Sequence, residues 1–146
     1  MITMDAFLSD FGEAIGIKGF ALDAIGSAQL AIGAFVVDVL GDRTSGRLML
    51  SCLLGELPDA EREAAMMRLL NANAMLAHTR GATLGVLPGS GAVVLARAVE
   101  LTHETGSTFA TRVIDLATAA DELAPLLRQT ERPTVARSDD TYLLRL

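Results

Sequence analysis

The chain has 146 residues, is 51% hydrophobic and only 4% aromatic, and carries a net charge of −6, so it is one domain's worth of sequence with a core of Ala, Leu, Val and Met. The acidic balance, with no basic cluster to contact phosphates, argues against a nucleic-acid binder. The single Cys52 rules out a disulfide framework and fits a reducing compartment, as a small strand residue rather than a nucleophile.

Met4, Phe7, Leu8, Phe11 and Ile15 follow helical spacing, with Thr3 placed to cap, Asp5 in the first turn and Gly16 ending the helix. This amino terminus has no basic start and carries acids through its apolar part, which argues against a signal peptide and places the chain in the cytoplasm. Phe20 to Ile25 reads as a strand, Gly26-Ser27 as its turn and Ala28 to Leu40 as a long returning strand, bent or bulged at Gly33. The longest apolar run, Leu30 to Val37, stops at Asp38, well short of the about 18 residues of a membrane span. After the polar loop Gly41–Gly46, Arg47 to Leu54 is a third strand, with Leu48, Leu50 and Cys52 alternating against Met49, Ser51 and Leu53.

Pro58 suits the first turn of a second helix, and Asp59, Glu61 and Glu63 favour its positive end; the pattern runs to His78, before Arg80-Gly81. Met66, Leu69, Asn73 and Leu76 form one stripe and Met67, Leu70, Ala74 and Ala77 a second beside it. One sheet does not cover two such stripes. The second is expected to meet a partner subunit, and a mean hydropathy of +0.40 agrees with surplus apolar surface. The period then changes to two: Ala82 to Leu87, the turn Pro88-Gly89-Ser90-Gly91, and Ala92 to Val99 make a hairpin. No Gly-Lys-Ser/Thr follows those glycines, and a strand rather than a helix does, so they are not a phosphate loop. A last helix begins near Ser107 and runs through Phe109, Val113, Leu116, Ala120, Leu123 and Leu127, with Pro125 expected to kink or end it near Ala124.

Leu57-Pro58, then Leu69-Leu70-x-Ala72-Asn73, then Gly85-x-x-Pro88 are individually weak signals, but their order and spacing resemble the class I type III secretion chaperones of the Tir-chaperone type. The resemblance covers Asp5 to about Leu127. It implies a homodimeric cytosolic protein that binds the amino-terminal segment of a secreted effector and keeps it soluble and export-competent without nucleotide. With the element order helix, three strands, helix, two strands, helix, the expected class is α+β, a twisted, mainly antiparallel sheet with helices packed on it. A domain over residues 1–129 and a tail over 130–146 follow.

Phe7, Phe11, Phe20, Leu30, Ile32 and Phe35 are the candidates for an apolar effector groove, with core packing as the competing role for the aromatic ones. Met66, Leu69, Leu76, Leu84 and Val86 are the candidates for the dimer interface. His78 and His103 sit on different elements without neighbouring Cys or paired acids, so neither a metal site nor a cofactor is expected. Asp115, Asp121 and Glu122 belong to a solvated helix face, and no triad-like arrangement appears. The alternative is a small enzyme or metabolite-binding domain on the same scaffold, which would need a deep pocket with convergent polar groups. In the tail, Tyr142, Leu144 and Leu146 alternate with Leu143 and Arg145 as in a strand with one apolar side, expected to pack on a sheet edge or apolar groove.

Overall fold

A computed structural model describes residues 2–128. Helix α1 (Met4–Ala14) starts as its sequence dictates: Thr3 Oγ1 accepts the Ala6 amide at 3.2 Å and Asp5 sits in the first turn. Phe20 to Ile25 does not form the expected strand. Phe20 is drawn onto α1, where its ring lies 5.1 Å from that of Phe11, and a Cβ at Gly12 would meet Phe20 Cβ at 2.7 Å. The Asp23 carboxylate then accepts the amides of Ile25 and Ser27, at 3.0 and 2.9 Å. This side-chain turn bends the segment away before it finds a strand partner.

The single long strand expected over Ala28–Leu40 is instead two, β1 (Ser27–Ile32) and β2 (Phe35–Asp42), paired antiparallel from Ser27 with Leu40 to Ile32 with Phe35. Gly33 is the reason. Its φ of 59° opens a two-residue loop with Ala34, whereas a bulge would have kept one strand running. Three antiparallel strands precede the second helix as expected, but the loss of Phe20–Ile25 is made up by this split. β3 (Arg47–Glu56) follows, with a register shift between Leu53 and Gly55.

Helix α2 (Arg62–Asn73) is shorter at both ends than the Pro58–His78 span expected. Glu61 takes a left-handed φ of 56° before the helix starts. At the other end, the Asn73 side chain accepts the Leu84 amide at 2.9 Å, and Met75 and Leu76 turn left-handed. An Asn amide that bonds outside the helix competes with helix continuation. Thr79, fully buried, anchors the following loop by donating to the Leu76 carbonyl at 3.1 Å. Strands β4 (Thr83–Val86) and β5 (Ala92–Glu100) form the second hairpin. Helix α3 (Gly106–Leu123) is capped by Thr105, just ahead of the start expected near Ser107: Thr105 Oγ1 accepts the Thr108 amide at 3.1 Å, and Thr108 Oγ1 accepts that of Thr105 at 2.8 Å. As Pro125 predicts, the regular helix ends before it, and Ala124–Leu127 continue as a 3₁₀ turn.

The five strands form one antiparallel sheet in the order β1-β2-β3-β5-β4. Helices α1 and α3 cover one face, burying Val37, Val39, Leu48, Leu50, Cys52, Val93 and Leu95. Phe109 lies at the centre of the helical layer, its ring 5.4 Å from Phe7 and 4.8 Å from Phe11, both edge-to-face. α2 lies to the side, against β4 and the 124–127 turn, pinned by Arg68 Nε donating to the Leu126 carbonyl at 3.0 Å. The tail over 130–146, with the strand expected at Tyr142–Leu146, lies outside the described residues.

Candidate partner-binding surfaces

Strand alternation sends every second residue to the sheet face that α1 and α3 leave uncovered. Across that outer face the register sets up rows. Ala31 pairs with Val36, and Leu53 with Val94; the next row runs Gln29, Asp38, Ser51, Ala96, Thr83; a third runs Ser27, Leu40, Met49, Ala98. Val36 is 47% exposed, Leu53 57%, and Leu40 and Met49 are exposed to a similar degree. Two apolar bands therefore flank a polar stripe, in which Gln29 Nε2 donates to Asp38 Oδ1 at 2.9 Å. At one end the third row opens into a depression of 790 Å³ lined by Ile25, Leu40, Asp42, Arg47, Met49 and Glu100. Large apolar groups grouped on one face are what a partner-binding surface requires.

The sheet's two edges differ. On β4 the outward-pointing Leu84 amide is taken by Asn73 at the end of α2. On β1 only the start is covered: Asp23 Oδ1 accepts the Ser27 amide at 2.9 Å, and the Asp23 amide donates to the Ser27 carbonyl at 2.8 Å. With Ser27 turned away from β2, the strand period turns the backbone groups of Gln29 and Ala31 outward too, where no described residue meets them.

The six groove candidates lie elsewhere. Phe7, Phe11, Phe20, Leu30 and Ile32 are buried in the core, and Phe35 is half-buried against it. They belong to the inner layer, whereas the open apolar surface uses the alternate residues Val36, Leu40, Met49 and Leu53. The signal that finds these is the alternation of Met49 and Leu53 with Leu48, Leu50 and Cys52, together with the Gly33 break that sets the parity of β2.

Of the interface candidates, Leu69 is buried within the subunit and Leu84 is half-buried, while Met66, Leu76 and Val86 are exposed. Met67, Leu70 and Leu87 join them on the α2–β4 side, Leu70 being 64% exposed. The two stripes of α2 do not divide cleanly into buried and exposed: Leu69 of the first turns inward, with Ala72 beside it, while Met66 and Leu76 of the same stripe are exposed like Met67 and Leu70 of the second.

Among the described residues no cluster of His, Cys, Asp and Glu has the geometry to hold a metal. Burial, and then the negative charge of Asp38, push the Cys52 thiol up to about 11. The Glu104 side chain, 7% exposed, accepts from Arg112 Nε at 3.1 Å. Burial raises its carboxyl pKa, but hydrogen bonds from Thr108 and Arg112 and the charges of Arg112 and Arg97 outweigh burial and hold it below the usual 4.5. This ion pair ties the start of α3 to the turn before it. Arg80 likewise ties the loop after α2 to α3 through Glu122 at 2.9 Å and Asp115 at 3.9 Å. Among the described residues no helix is long and apolar enough to cross a membrane.

The backbone architecture is shared with solved structures. The ExsC–ExsE complex matches at 21% identity and a TM-score of 0.68, covering 86% of this chain and 97% of that one. The ExoU–SpcU complex of the Pseudomonas aeruginosa type III secretion system matches at 19% identity and a TM-score of 0.64, covering 87% and 99%. The Yersinia pestis type III secretion chaperone SycH, in complex with a fragment of YscM2, matches at 15% identity and a TM-score of 0.65, covering 82% and 98%. At these identities the likeness is one of fold. No curated protein sequence matches the chain. A sequence profile of the Tir chaperone protein (CesT) family does match, over residues 6–123, which is most of the chain. The protein belongs to the Tir chaperone protein (CesT) family.

Proposed function

We propose that this protein is a homodimeric cytosolic chaperone that binds the amino-terminal segment of a type III secretion effector and holds it extended and export-competent without nucleotide. The observation that carries the reading is the uncovered apolar outer face, bordered by the open edge of β1 in a chain whose core is otherwise complete. An extended segment laid along Val36, Leu53 and the Leu40–Met49 depression buries apolar surface, and a backbone paired at Gln29 and Ala31 gains directional hydrogen bonds. Covering four half-exposed side chains contributes about 1 kcal/mol each, which by itself does not exceed the cost of association and ordering, so strand pairing along β1 and the rest of the segment's contacts must supply the remainder. The solved structures of similar fold are protein complexes, among them the type III secretion chaperone SycH with a fragment of YscM2, and support this use of the scaffold.

Dimerisation through the α2–β4 side is supported by the exposed cluster Met66, Met67, Leu70, Leu76, Val86 and Leu87. The test is purification from the native cell, identification of the bound protein, and titration of its amino-terminal segment against the wild type and Leu53→Asp. Weakened binding by a folded Leu53→Asp protein is expected. Unchanged affinity would move the site off the outer face.

A further inference from the structure

Within the three rows of the outer face, Asp38 is the one charged side chain. It sits half-buried in the polar stripe, two residues along β2 from exposed Val36 on one side and from exposed Leu40 on the other. Gln29 Nε2 donates to its Oδ1 at 2.9 Å, and among the described residues no lysine, arginine or histidine forms an ion pair with it. The cation of the adjoining row, Arg47, faces Glu100 instead, its Nη2 3.9 Å from Oε1.

A carboxylate without a counter-charge between two apolar bands decides what can cover it. A segment laying only apolar groups across the stripe takes Asp38 out of water unpaired, and an acidic one adds repulsion, so both are disfavoured. A cation at the same place removes the cost and gains a charge-assisted hydrogen bond. Spacing fixes where that cation stands. Side chains two apart on a strand lie about 7 Å from each other on one face. An extended segment running alongside β2 and β3 has the same period. Its successive inward side chains therefore meet Val36 and Leu53, then Asp38 and Ser51, then Leu40 and Met49. The net charge of −6 also draws a basic segment towards the chain.

We propose that the outer face selects a polypeptide segment in which a lysine or arginine stands between two large apolar residues, each two positions away, with its cation on Asp38. The inference rests on the chaperone reading above and names the chemistry of the segment that reading requires.

The test uses three synthetic peptides, Gly-Ser-Leu-Ser-X-Ser-Leu-Ser-Gly with X as Lys, Gln or Glu, titrated at low salt into the full chain. Binding is followed by protein amide NMR shifts, which read millimolar affinities. The Lys peptide should bind about tenfold tighter than the Glu peptide, with the Gln peptide between, and should shift the Gln29 and Asp38 amides. Asp38→Asn should abolish the difference and Asp38→Lys reverse it. Glu13→Gln removes the same charge from the exposed side of α1, across the sheet, and should retain the difference. Equal affinities for the wild type, no shift at the outer face with any peptide, a preference that survives Asp38→Asn, or one lost equally in Glu13→Gln each overturns the proposal. These failures leave the chaperone reading standing, since the affinity of the Leu53→Asp protein for the partner purified from the native cell decides that separately.

Discussion

Phe11 decides whether the aromatic cluster is a packing element or a wall for a partner. Its side chain is 0% exposed, with Phe109 at 4.8 Å and Phe20 at 5.1 Å, both edge-to-face. Truncating a buried Phe to Ala costs about 3 to 5 kcal/mol through lost transfer energy and the cavity left behind. Two lost aromatic contacts, at about 0.5 to 1.5 kcal/mol each, place Phe11→Ala near the upper end, at about 4 kcal/mol. Against a total stability of about 5 to 15 kcal/mol, this is a large fraction. With a urea m-value of about 2 kcal/mol/M, the midpoint should fall by about 2 M. The assay is equilibrium urea unfolding followed by far-UV circular dichroism at fixed protein concentration, because the proposed dimer would make stability concentration-dependent. A loss below about 1 kcal/mol, with partner binding abolished, would refute the burial argument and return Phe11 to a groove.

Leu70→Asp, at an exposed position of α2, should yield a folded monomer in sedimentation, whereas Leu69→Asp, at a buried one, should unfold the protein; a dimeric Leu70→Asp protein would place the interface elsewhere. Asn73→Ala removes the partner of the Leu84 amide, so stability should fall by about 1 kcal/mol and that amide should exchange faster; unchanged exchange there would mean that Asn73 does not cover the β4 edge. Because the Glu104 pKa is depressed on folding, its stabilisation is fully present above the ordinary carboxylate value and is lost as pH falls through the folded one. Unfolding free energy should therefore fall more steeply below about pH 4.5 in the wild type than in Glu104→Gln, and parallel curves would remove Glu104 as a source of acid lability. Cys52, buried and with its thiol pushed up to about 11, should resist a thiol reagent at about pH 8 until urea unfolds the chain; rapid labelling of native protein would contradict its place in the sheet interior.

Local chemistry made much of the fold legible. The Thr3 cap and helical spacing define α1, the stop at Pro125 defines the end of α3, and the period-two runs define β3 and the β4–β5 hairpin, because each is set by neighbours a few residues apart. The family resemblance was also carried by order and spacing along the chain, and the profile match over residues 6–123 agrees with it. Tertiary contacts decided the rest. Phe20 and Leu22 alternate as a strand would, yet α1 offers Phe20 a buried seat and Asp23 a turn, so the segment leaves the sheet. Asn73 fits a helix pattern until a strand amide distant in sequence claims its side chain. The same limit applies to the candidate surfaces. Alternation says that β2 and β3 each have two apolar faces, but only the placement of α1 and α3 determines that Val37 and Leu50 are interior while Val36 and Leu53 face outward. Periodicity records what a residue's neighbours are along the chain, and burial depends on which layer arrives from elsewhere in it.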